Sequence, residues 1–152
     1  MKKNISLFSV CALLISVILI SSCEKAEPEP PLSDQISGQY EVDYYLVGTT
    51  LVSLPVTVDG ITATAKIDIS RISDTDAKVV FTFIQTASSF GLSDESTSTV
   101  PSVSLSKSST GEIMGADASG NSITHKNSEV EVILKSNDPS KTLTIHANAI
   151  SS

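Results

Sequence analysis

His125 and His146 are the two histidines of this 152-residue chain, and their side chains are the ones that ordinarily titrate near neutral pH. A histidine becomes a useful base only beside a group it can deprotonate and a third group that orients it. In an alternating run His146 falls on the face opposite Leu143 and Ile145, which predicts a solvent-facing strand residue; His125 is expected in a hairpin arm with similar exposure. Serines are abundant, but there is no G-x-S-x-G elbow, no H-E-x-x-H and no glycine-rich phosphate loop. Asp74-Thr75-Asp76 and Asp117-Ala118-Ser119-Gly120-Asn121 offer the oxygen ligands that calcium prefers, without the ligand count of a calcium-binding loop. Both are read as ordinary turns, so no metal, no cofactor and no enzymatic activity is expected.

Binding chemistry is the next possibility. Tyr40, Tyr44, Tyr45, Phe81, Phe83 and Phe90 are the aromatic residues past the N-terminal apolar run, and tryptophan is absent. That set is thin for the aromatic platforms of a carbohydrate site. Tyr40 and Tyr44 alternate with Glu41 and Asp43, and Phe81 and Phe83 with Val80 and Thr82, so each pair shares a strand face. These four are the candidate wall of an apolar ligand site. Small Ala63 and Ala65 at expected inward positions leave room for a ligand or fit a narrow, filled barrel. Ser88 to Thr99, a polar stretch carrying Phe90 and Leu92, is expected to be a solvated connection, with a lid as the other reading.

Of the two cysteines, Cys11 and Cys23, the second ends a greasy segment. Lys2 and Lys3 precede an apolar run of 16 residues, Ile5 to Ile20. That is the layout of a secretory signal, and it falls short of the roughly 20 residues of a spanning helix. Ile20-Ser21-Ser22-Cys23 resembles the bacterial lipobox: an aliphatic residue, two small residues, then cysteine. The resemblance implies a cleaved signal over 1–22, a diacylglycerol on the Cys23 thiol and an acylated new N-terminus. A Cys11–Cys23 disulfide would join the mature chain to the discarded segment and is not expected.

Residues 23–31 form the lipidated cysteine and a spacer, since "EKAEPEPP" from Glu24 is proline-rich, charged and extended. Glu24 is not the aspartate associated with inner-membrane retention. The acidic and lysine residues after the cysteine resemble the surface-export signal of some Gram-negative phyla. The resemblance implies an outer-membrane lipoprotein, exposed at the cell surface. Removing Lys2 and Lys3 from ten basic residues leaves eight against seventeen acidic ones, a change from −7 to −9. Such an acidic chain has no basic cluster with which to displace counterions from nucleic acid, and the acyl chains alone would hold it to a membrane.

Residues 32–152 read as one all-β domain. Ile61, Ala63, Ala65, Ile67 and Ile69 alternate with polar residues after an Asp59-Gly60 hairpin signal, and similar period-two runs cover Tyr40 to Leu46, Val79 to Ile84, Glu129 to Lys135 and Thr142 to Ala149. Weaker strands fit Val100 to Ser106, Thr110 to Ala118 and Ser122 to Lys126. About eight strands joined by short links close most simply into an antiparallel meander barrel, with a two-sheet sandwich as the alternative. "ISGQYEV", with Gly38 and Tyr40 in a G-x-Y opening, resembles the start of lipocalin-like domains of small bacterial lipoproteins. The resemblance implies a barrel holding an apolar molecule. The other reading is a surface module that binds an envelope protein or supports a nutrient-uptake complex.

Overall fold

The computed structural model describes residues 27–150. Cys23 and the whole signal lie outside the described residues. A short helix, α1 (Leu32–Ile36), leads into ten strands: β1 (Gly38–Val47), β2 (Thr50–Ser53), β3 (Val56–Val58), β4 (Ile61–Arg71), β5 (Asp76–Ala87), β6 (Leu92–Lys107), β7 (Ile113–Ala116), β8 (Ser122–Lys126), β9 (Glu129–Leu134) and β10 (Leu143–Ala149). Every pairing is antiparallel, and strands β4 to β10 follow one another as a meander. β1 then closes the ring. Its first residues pair with the end of β4 (Gly38 with Ile69, Glu41 with Lys66), while its other edge pairs with β10. Without β2 and β3, the ring holds eight of the ten strands. These pairings displace the sandwich alternative, which needs two sheets where there is one.

Above Glu41, β1 and β4 part company: β1 pairs with β2 and β4 with β3, so the ring is split at that end. The turns at residues 72–75, 108–111 and 127–128, together with α1, mark the base; those at 48–49, 59–60 and 88–91 mark the mouth. α1 plugs the base. Its Ile36 has 0% exposure, the Ser33 N–H donates to the Asp74 carbonyl at 3.2 Å, and the Tyr40 hydroxyl donates to the Ile36 carbonyl at 2.8 Å.

Alternation explains the interior. Val42, Ile67, Val103, Ile123, Val130 and Ile145 point into the ring from six different strands and are fully buried. Burying each contributes about 1.5–3 kcal/mol. Gly115 sits where neighbouring side chains close in: a Cβ there would meet Leu105 Cδ2 at 2.8 Å and Ile123 Cγ2 at 2.9 Å. The glycine lets β7 approach its neighbours.

The wall is uneven in height. β5 pairs with β4 along its length, but β6 pairs with β7 only from Ser104 to Lys107. From Leu92 to Val103 the β6 edge facing β7 carries no strand among the described residues. Ser88 to Thr99 is therefore not the expected loop or lid. It is the tip of a long hairpin, Ser88–Phe90, followed by the first half of β6. Its Ser and Thr residues suit an exposed strand that has few apolar neighbours to satisfy.

Candidate functional site

The mouth is built by the inner face of β4, β5 and β6 opposite the upper end of β1. Residues paired across antiparallel strands point to the same side. Phe81 pairs with Ile67 and Phe83 with Ala65, which puts both rings on the inner face as expected. Both are half-buried and pack against the core. On their far side stand Ser98 and Ser96 of β6.

Tyr44 requires a correction. Continuous alternation would place it inside with Tyr40 and Val42, but the β1–β10 register shifts between Val42 and Tyr44. The bulge falls at Asp43, whose carbonyl accepts the Leu54 N–H at 2.7 Å. One extra residue exchanges the two faces of everything after it. Tyr44 stands outside, stacked on His146 with ring centroids 4.8 Å apart and planes at 4°. Tyr45 turns inward instead, opposite the fully buried Ile145, and packs against the core. Tyr40 does point inward, at 3% exposure, but near the base with its hydroxyl on the plug; burial raises its pKa. The sequence set of four thus splits three ways, and the mouth unites Phe81 and Phe83 with Tyr45.

Beyond these rings the inner face first carries Gln85 and Asp94, paired with each other across β5 and β6, and then apolar residues whose burial ends. Val58 is 62% exposed, Ile61 46%, Leu92 65% and Val47 40%, and Phe90 at the hairpin tip 79%. By register, Val58 faces the same side as Ile61, and Leu92 the same side as Ala87.

The histidines occupy two separate places. His146 lies on the outer face as expected, where its Nδ1 and Asp43 Oδ1 are 2.8 Å apart. A carboxylate that orients an imidazole is the supporting part of a nucleophilic site, yet among the described residues this ring's hydrogen bond is to Asp43 and to no hydroxyl. A shallow cleft of about 200 Å³ beside it is lined by Thr124, Lys126, Glu129 and Glu131. His125 departs from expectation. It pairs with Ile113 and Val130, both buried, and so faces inward at the base, edge-on to Tyr40 with centroids 6.2 Å apart. A cleft of about 380 Å³ between Gln35, Glu112, His125 and Lys126 opens there.

Desolvation pushes the His125 pKa below the ordinary 6.5. In the window between that lowered value and 6.5 the unfolded chain binds the proton and the folded chain does not, so stability falls as pH drops through it. Thermal unfolding at stepped pH should show this loss below about pH 6.5, and His125→Phe, which keeps an edge-on aromatic contact, should flatten it. An unchanged pH slope in the variant would remove His125 as its source.

The oxygen-rich turns are used locally. Asp117 Oδ1 accepts the Ser119 and Asn121 N–H groups at 2.8 and 2.9 Å, and Asp76 accepts the Ser73 and Ser104 hydroxyls at 2.6 and 2.8 Å. The two hydroxyls hold the Asp76 pKa below the usual carboxylate range.

No family model and no curated protein matches the chain. Among solved structures it is similar to a de novo designed fluorescence-activating β-barrel, at 14% identity and a TM-score of 0.38 over 79% of this chain and 98% of the other.

Proposed function

We propose that the protein is a non-catalytic, lipid-anchored binding barrel of the bacterial outer membrane. Cys23 carries the acyl chains, the spacer leads to α1, and the mouth takes a small apolar molecule. The observation that supports binding is the inner face of the mouth, where half-buried Phe81, Phe83 and Tyr45 are followed, past the polar pair Gln85 and Asp94, by exposed Val58, Ile61 and Leu92. The filled lower interior restricts the ligand to that end, with the rings as its floor. The Ile20-Ser21-Ser22-Cys23 seam supports the anchor and the outer-membrane, surface-exposed location.

Titration with N-phenyl-1-naphthylamine, a fluorophore that brightens on leaving water, tests the site. The wild-type protein should saturate, and Phe83→Asp should weaken binding about tenfold, which is 1.4 kcal/mol. Because Phe83 also packs on the core, Leu92→Asp at the exposed rim provides a second variant that leaves the fold alone. Absence of saturable binding to wild type, or full binding by both variants, would refute a ligand site in the mouth.

A further inference from the structure

We infer that the barrel stands base-down on its membrane, with the mouth held away from the bilayer that anchors it, so that its ligand is an apolar molecule arriving from the aqueous side and not a lipid drawn from that bilayer. This rests on the proposed lipid at Cys23. The chain is fixed at the base before the fold begins. The Glu29 carboxylate pairs with Lys107 Nζ at 2.8 Å, Gln35 Nε2 donates to the Pro30 carbonyl at 2.6 Å, and the Asp34 N–H donates to the Pro31 carbonyl at 3.0 Å. Lys107 is the last residue of β6, next to the basal turn. Six Cα-to-Cα steps (29 − 23) separate Glu29 from Cys23. They span roughly 20 Å when fully extended, and slightly less at the polyproline rise.

The barrel is taller than that tether. β5 rises by ten residue steps (87 − 77) from Ala77 at the base to Ala87 below the tip. At about 3.3 Å per residue and a tilt of about 40°, the rim stands roughly 25 Å above the base. To bring the apolar lip at the top of β4, β5 and β6 onto the membrane, the spacer would have to run the height of that tall side outside the barrel. It is too short. The apolar lip at Val58, Ile61, Phe90 and Leu92 is therefore directed toward whatever lies beyond the anchoring leaflet.

A pair of single-cysteine variants of the full chain tests the orientation, since lipidation consumes Cys23 and cleavage removes Cys11. Ser109→Cys labels the exposed basal turn and Ser89→Cys the exposed tip, without touching the apolar residues of the mouth. Each is labelled with a donor dye and reconstituted in phosphatidylcholine vesicles containing a headgroup-labelled acceptor lipid. Energy transfer at residue 109 should be at least threefold more efficient than at residue 89. Equal transfer, or stronger transfer at residue 89, would overturn the base-down arrangement. Should the protein fail to float with the vesicles at all, the lipid anchor itself is wrong, and that outcome is read separately by flotation.

Discussion

Serine in place of Cys23 is expected to abolish acylation and leave the signal uncut, so that any remaining membrane attachment runs through the apolar segment Ile5 to Ile20. The thioether that joins a diacylglycerol to the chain needs sulfur, and signal cleavage at a lipobox follows that modification. Each buried methylene contributes about 0.8 kcal/mol, and one acyl chain holds a protein only marginally, so stable attachment depends on all the chains together. Among the described residues no helix is long and apolar enough to cross a membrane, and from residue 23 onward the chain has eight basic against seventeen acidic residues, a charge of −9. Detergent-free fractionation followed by intact-mass measurement checks both halves of the claim. Wild type should sediment with membranes and weigh more than the chain beginning at Cys23 by the mass of its acyl groups. A Cys23→Ser protein that is still cut before residue 23 and still carries acyl mass, or a wild-type Cys23 that still reacts with maleimide, would end the lipoprotein reading.

The second large effect concerns the filled half of the barrel. Ile145→Ala should destabilise the domain by about 2–5 kcal/mol, because the cavity it leaves cannot collapse against strands held in register. Ile145 is fully buried, paired with Val132 on β9 and Tyr45 on β1. In a domain of this size the loss lowers Tm by roughly 10 °C. Leu51→Ala, at a side chain 57% exposed on β2, should stay within about 0.5 kcal/mol of wild type. Denaturant melts of the two variants give the comparison; an Ile145→Ala protein as stable as Leu51→Ala would mean that the interior is loosely packed and that the mouth has no firm floor.

What could be read from the sequence follows from how strongly each segment alternates. β4, β9 and β10 carry apolar residues at every second position, and their faces fall where period two puts them. The Asp59-Gly60 turn was equally plain. The first half of β6 was hidden because Ser93 to Thr99 holds no apolar residue to mark a face; what makes it a strand is the hydrogen-bonding edge of β5. The plug was hidden for another reason. Leu32 and Ile36 have helical spacing, but five residues after Pro31 are too few for a periodic signal. Tyr44 was misplaced because a bulge leaves the composition of a strand untouched. Asp43 has its role through a carbonyl contact to Leu54 and a carboxylate contact to His146, 103 residues away, and no local pattern encodes either. His125 was misjudged similarly, since its inward face is set by Ile113 and Val130 on the neighbouring strands.

Under the proposed lipid anchor, the bare edge of β6 has a consequence for a protein tethered in two dimensions. Lipid attachment raises the encounter frequency between copies far above that of a dissolved domain, and an unpaired strand of such length is an invitation to sheet growth from copy to copy. The sequence of the edge works against it. Asp94 and Glu95 set like charges on the exposed run, and Pro101, which has no N–H to offer, sits where the β5–β6 register shifts between the Ala77–Val103 and Val79–Val100 pairs. The price is a wall that shows its backbone to water, in return for molecules that remain separate while crowded on one surface.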